Sequence, residues 1–186
     1  MTRVEQALFF IGFGMLALWG TQTLESIVLS RAAIAKFETL NSRGPVQRIL
    51  LEEVEAPLAV LRIPRIHLEV PLFDGTDRAT LNHGAGRIDG TAEVGAGGNL
   101  GIAAHRDRFF RGLKDVMPGD VIDLERHGGT DFYVIDWIRI VEPTDVSVLD
   151  QTPAPSLTLV TCFPFYFVGS APQRYIVRAS LRSSTS

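Results

Sequence analysis

The sequence predicts an all-β domain, either a sandwich or a barrel, carried behind an apolar N-terminal helix. Three observations predict it. From Pro57 onward, short runs rich in Val, Ile, Leu and Phe are separated by Gly, Pro and Asp, the texture of several short strands joined by turns. Helical runs are scarce over the same stretch. Ahead of it, near the N-terminus, lies a charge-free apolar segment.

The elements follow in order. Gln6 to Leu24 carries no charged residue, and Ala7 to Trp19 is apolar almost throughout. As a helix that segment spans roughly 28 Å, close to the hydrocarbon thickness of a bilayer. Residues 1–24 are therefore expected to be an uncleaved membrane anchor, bracketed by Glu5 and Glu25. A cleaved signal peptide fits less well, since Arg3 is the only basic side chain before the run and no Ala-x-Ala follows it. A buried core helix is the third reading. Arg3 before the run and Arg31 and Lys36 after it leave the orientation undecided by charge. Ser26 to Leu40 has helical spacing, and NSRGPV at 41–46 breaks it with Gly44 and Pro45. Residues 25–55 thus form a stalk and linker, and 56–186 the folded domain. In that domain, Leu58 to Ile63, His67 to Phe73, Asn99 to Ala104, Val121 to Glu125, Asp131 to Ile140, Leu157 to Thr161 and Arg174 to Leu181 read as strands. Only Ala79 to Asn82 and Phe109 to Leu113 could make short helical turns.

Composition narrows the function. With 186 residues, 46% hydrophobic and 21% charged, the chain can bury one compact core and is not a disordered polymer. A net charge of -3 and no basic patch argue against nucleic-acid binding. One cysteine, Cys162, excludes an intramolecular disulfide and a cysteine-rich zinc cluster. Glu93, Asp136 and Glu142 are scattered acids without a ligand pattern. No metal and no cofactor are expected.

A lone cysteine is most often a buried core thiol. A reactive one needs a base, because a free thiol is only slightly ionised at neutral pH, and needs donors for the oxyanion of a tetrahedral intermediate. Four histidines could supply the base. His67 sits in a strand, while His83 and His127 sit in turn-like sequence. His105 ends the apolar run GIAA and is followed by Arg106 and Asp107, a position from which a sheet can present side chains to a cleft. Spacing alone does not choose among them.

TLVTC at 158–162 resembles the TLxTC signature of the sortase family. HRDRFF at 105–110 resembles the family's catalytic-histidine segment, and Arg174 in QRYIVRA resembles its strand-borne arginine. Gly98-Asn99, LKDVMPGD at 113–120 and FPFYFVGSAPQRYIV at 163–177 are further matches, most like sortases of classes D and E. The resemblance runs from about residue 57 to the end, and the three motifs in this order are specific where each alone is weak.

The resemblance implies a closed eight-stranded sortase-type β-barrel with short helices. It implies a cysteine transpeptidase that cleaves a C-terminal sorting motif, commonly Leu-Pro-x-Thr-Gly, through a thioester acyl-enzyme resolved by an amine. Cys162 is then the nucleophile, His105 the general acid and then base, and Arg174 a donor to the substrate or oxyanion. Thr161 is a substrate-binding candidate. Partners would be a surface protein bearing the sorting signal, an amine acceptor (a cell-wall precursor or a pilin lysine) and the membrane, with the N-terminus inside and the domain outside. Ala104 departs from the family, where Gly is usual, and its methyl group could narrow the groove. Arg178 and Arg182 follow Arg174 at intervals of four, so strand periodicity does not single out Arg174. Two further readings stay open: a non-catalytic peptide-binding barrel, and a thiol peptidase that releases its product to water. Specificity is expected in the loop from Glu142 to Ser156.

Overall fold

A computed structural model of the chain describes residues 3–41, 56–167 and 169–182, with the backbone alone at 7 and 17–23. Eight strands close into a barrel: β1 (Ala59–Ile63), β2 (Leu68–Asp74), β3 (Ala85–Arg87), β4 (Asn99–Ala103), β5 (Val121–Arg126), β6 (Gly129–Val141), β7 (Ser156–Phe163) and β8 (Gln173–Leu181). The order around the barrel is β1-β2-β3-β4-β7-β8-β6-β5. The pairs β2–β3 and β4–β7 are parallel, and the others are antiparallel.

Seven strands lie where the hydrophobic runs predict them. β3 is the exception. It falls in HGAGR, a sequence with turn chemistry. The close approach explains its glycine: a Cβ at Gly86 would lie 2.0 Å from the Gly75 carbonyl oxygen. The connection from β2 to β3 carries a short helix, α2 (Arg78–His83), capped by Asp77, whose carboxylate accepts from the Ala79 and Thr80 amides.

Period-two alternation divides each strand between core and surface. Leu61 and Ile63 of β1, Leu157 and Leu159 of β7, and Val177 and Ala179 of β8 fill the interior with Phe110 and Leu113, all but excluded from solvent. Burial on this scale stabilises by roughly 2 kcal/mol for each large aliphatic side chain.

The first helix, α1 (Arg3–Asn41), is one continuous helix across the expected boundary between anchor and stalk. The expected membrane-crossing segment is not borne out: among the described residues, no helix is long and apolar enough to cross a membrane. The apolar part, Ala7 to Trp19, is too short, covering roughly 20 Å of helix against about 30 Å of hydrocarbon. The break expected at 42–46 and the rest of the linker to 55 lie outside the described residues.

The last turns of α1 dock on the outer face of β1. Phe37, Ile34 and Val60 form a small second core, and Phe37 stacks on His127 with ring centroids 4.7 Å apart. Beside them Arg62 pairs with Glu69 at 2.7 Å, Glu38 at 3.4 Å and Glu125. In the barrel order β1 lies four strands from β7, so the helix covers the wall opposite Cys162. Phe37 is fully buried, and Phe37→Ala is expected to cost about 3 kcal/mol. Urea unfolding of the full chain measures this; an unchanged midpoint would show that the helix does not depend on this contact.

Candidate active site

The site is built by strand register. The parallel ladder of β4 and β7 pairs Asn99 with Ser156, Gly101 with Thr158 and Ala103 with Val160. Two residues further along each chain come His105 and Cys162. On the other side of β7, the antiparallel ladder sets Cys162 directly opposite Arg174. Residues opposite one another across a ladder share a face. His105, Cys162 and Arg174 are thus brought to one level on three adjacent strands or their ends, and all three are half-buried.

Register also separates the arginines that periodicity left equivalent. Arg178 pairs with Thr158, four residues short of the cysteine. It is a buried structural residue. Its Nη2 donates to the Val148 carbonyl (2.5 Å), its Nη1 to Ser156 Oγ (3.2 Å), and its guanidinium faces the Trp137 ring at 5.5 Å. Arg182 lies beyond the end of β8.

Between the catalytic level and the Arg178 level, the outward positions are Ala103, Val160 and Ile176. Beside the buried Ile176, the partly exposed Ala103 and Val160 make an apolar floor. Its far end is closed by the β6–β7 loop. A Cβ at Gly101 would come within 2.9 Å of Thr91 Cγ2 and 3.0 Å of Leu149 Cδ2, so that loop lies directly against β4. Asn99, fully buried, holds the loop in place. Its Nδ2 donates to the carbonyls of Val148 (3.2 Å) and Asp150 (3.1 Å), and its Oδ1 accepts from Thr158 Oγ1 (2.6 Å) and Ser156 Oγ (3.3 Å). Sequence reasoning noted Asn99 and Thr158 only inside motifs. A buried Asn preceding an apolar strand is the signal that could have marked it, because such an amide must find partners.

Thr161 stands on the inward face of β7. It is buried, and its hydroxyl donates to the Ala104 carbonyl at 2.7 Å. This contact ties the His105 segment to β7 and turns the hydroxyl inward. The Ala104 methyl packs in the core cluster, so it does not narrow the groove. Beneath the cysteine, Phe163, Phe165 and Tyr175 close this end of the barrel, Phe165 and Tyr175 meeting edge to face at 5.1 Å.

His67, His83 and His127 lie elsewhere: after β1, at the end of α2 and in the β5–β6 turn. Burial lowers the pKa of His105 below the ordinary imidazole value. Arg108 and Arg78 push it the same way, and Asp107 opposes them. The ring is therefore neutral at neutral pH and able to accept a thiol proton. The largest cavity described, of about 640 Å³, lies away from this chemistry, between Leu58, Asp74, Arg87 and Arg126, and has no nucleophile in its lining.

A model of the family described as Sortase domain matches residues 61–182. The chain belongs to the sortase family. Sortases are cysteine transpeptidases, and the similarity extends past the barrel. Sortase D of Bacillus subtilis (strain 168) is 31% identical over 183 residues, covering 94% of this chain and 92% of the relative. Sortase A of Streptococcus agalactiae is 30% identical over 67% of this chain and 52% of its own length. Among solved structures, the Clostridium perfringens sortase D5 transpeptidase superposes with a TM-score of 0.73 at 26% identity, over 84% of this sortase and 99% of that chain. A variant of sortase E from Streptomyces avermitilis gives 0.58 at 34% identity, over 68% and 88%.

A neighbouring cation disfavours the imidazolium, so Arg108→Ala is expected to raise the His105 midpoint, and Asp107→Asn to lower it. NMR titration of the His105 ring measures both. A fall in Arg108→Ala would contradict the assigned cause.

Proposed function

We propose that this sortase cleaves a Leu-Pro-x-Thr-Gly-like C-terminal motif of surface proteins and transfers the acyl part to an amine, working at the membrane. The observation that carries this reading is the common level of His105, Cys162 and Arg174 beside the apolar floor of Ala103 and Val160. An extended peptide with apolar residues ahead of its scissile bond fits such a floor.

In this reading Cys162 Sγ attacks the scissile carbonyl carbon, and His105 takes the thiol proton. Arg174 donates to the oxyanion, a contribution typically worth 10²–10³ in rate for one well-placed donor. His105 then protonates the departing amine nitrogen as the C–N bond breaks, leaving the thioester. The lowered pKa of His105 makes its imidazolium a readier acid for that step. An acceptor amine, from a cell-wall precursor or a pilin lysine, attacks the thioester. It yields its proton to His105, and the C–S bond breaks as the new amide forms. The similarity to sortase D along nearly the whole chain supports this reading.

Membrane association is supported by the first third of α1. Leu8, Phe9, Phe10, Ile11, Phe13 and Leu16 are each more than 60% exposed. So much contiguous apolar surface is unusual for a chain that meets only water. The catalytic domain is proposed to lie on the extracytoplasmic side, where its surface-protein substrates arrive.

Two outcomes are expected. Mass spectrometry of the wild type with a set of Leu-Pro-x-Thr-Gly peptides, x varied, shows a Cys162 acyl adduct, and an added amine converts it to transpeptidation product. Cys162→Ala gives neither; a variant that still cleaved the peptide would sink the assignment. For localisation, the full chain floats with phospholipid vesicles, and Phe9→Asp combined with Phe10→Asp reduces the floated fraction several-fold, as the lost apolar area implies. Equal flotation of both proteins would exclude this segment as the membrane contact.

A further inference from the structure

Two guanidiniums hold the β7–β8 loop. Arg106, next to His105, donates from Nη2 to the carbonyls of Phe167 (2.7 Å) and Gly169 (3.0 Å). Its guanidinium also lies 5.9 Å from the Phe167 ring centroid. Arg174 donates from Nη1 to the carbonyls of Ala171 (3.4 Å) and Gln173 (3.0 Å). Phe167, Gly169 and Ala171 are alternate residues of the loop, and Gln173 opens β8. Neither arginine belongs to an ion pair among the described residues.

We propose that Arg106 is a positioning residue for the reaction: it clamps the first half of the β7–β8 loop to the His105 segment and so fixes the second half, on which the Arg174 guanidinium rests. The inference rests on the transpeptidase reading of this site.

Three features support it. Among the described residues the loop has little else to hold it, since Tyr166, Phe167, Gly169, Ser170 and Pro172 are all exposed. The buried ring of Phe165 anchors only its start. Beyond that, the Arg111 guanidinium lies 5.4 Å from the Tyr166 ring, at the outer edge of the loop. Hydrogen bonds from a charged donor are about twice as strong as neutral ones, and one guanidinium nitrogen here spans two carbonyls. Finally, strand register fixes the backbone at Arg174 but not its side chain. The side chain is aimed by the Gln173 carbonyl, which the ladder holds, and by the Ala171 carbonyl, whose position follows the loop. A shift of about 1 Å in such a group can cost 10²-fold in rate. Lysine lacks the planar fork and cannot reproduce both the carbonyl contacts and the contact with the ring.

The test is a double-mutant cycle in the full chain, read by single-turnover acylation with the Leu-Pro-x-Thr-Gly peptide set. Arg106→Ala is expected to lower the acylation rate about 10-fold, with apparent peptide affinity changed less than about 2-fold. Arg106→Lys is expected to fall between. In an Arg174→Ala background, Arg106→Ala is expected to cost under about 2-fold, because the group it positions is gone. Amide hydrogen exchange gives a second readout: peptides covering 164–173 exchange faster in Arg106→Ala, while β1 and β2 do not. An equal rate loss in both backgrounds, or wild-type rate and exchange in Arg106→Ala, overturns the proposal. If the wild type itself forms no acyl-enzyme, the transpeptidase reading fails, and the exchange of 164–173 still decides whether the clamp exists.

Discussion

The parallel pairing of β4 with β7 is the constraint on which the rest of this sortase depends. Parallel neighbours in a sheet need a long crossover, and here it runs through the His105 segment, β5, β6 and the β6–β7 loop. The pairing buys two things at once. It sets the residues after the two strands side by side, so that His105 and Cys162 come to one level although 57 positions separate them. It also leaves β7 flanked by an antiparallel partner, which brings Arg174 to the same level from the other side. A slip of one residue in either ladder would send the cysteine or its partner to the interior. The register is defended accordingly. Leu157 and Leu159 must face the core, and Thr161 locks the end of the ladder through the Ala104 carbonyl.

The same alternation assigns stability and chemistry to opposite faces of the same strands. Inward positions of β7 and β8 are largely apolar, with Thr161 the buried polar one among them; outward ones hold Cys162, Arg174 and the groove floor. The exception is the end of the outer face covered by the β6–β7 loop. There Asn99, Thr158, Ser156 and Arg178 are buried polar groups that answer one another and the loop carbonyls. Leaving any one of them unpaired costs about 1–3 kcal/mol. The network therefore holds the loop in one position and gives the groove a fixed end wall.

Much of this was legible in the sequence, and the gaps have physical causes. Seven strands announced themselves because their apolar runs are long enough to show. β3 is three residues with a glycine at its centre, and its pairing is dictated by backbone approach to Gly75, which no side-chain pattern records. The order of His105, Cys162 and Arg174 was readable as motif. Their common level was not, since it arises from ladders between distant segments. Thr161 illustrates the limit: its place beside the cysteine suggested the groove, but adjacent residues in a strand face opposite ways. The N-terminal helix and its continuation to Leu40 were legible in the helical spacing after Leu24. Docking through Phe37 and Val60 depends on a tertiary contact invisible to local pattern.

The charge around the site suits what the proposed reaction must stabilise. The protein is acidic overall, yet Arg174 lies opposite Cys162, and Arg108 and Arg78 act on His105. Asp107 is the acid that opposes them there. A positive field favours negative charge on the attacked carbonyl and disfavours the imidazolium. The two effects are not in conflict. The oxyanion exists only near the transition state, so its stabilisation acts on rate. The imidazolium exists only between taking the thiol proton and giving it to the leaving amine, and a destabilised imidazolium gives it up sooner. Burial of the ring works in the same direction. In the proposed reaction the field and the barrel wall thus make His105 a transient carrier of a proton, while Cys162 carries the acyl group.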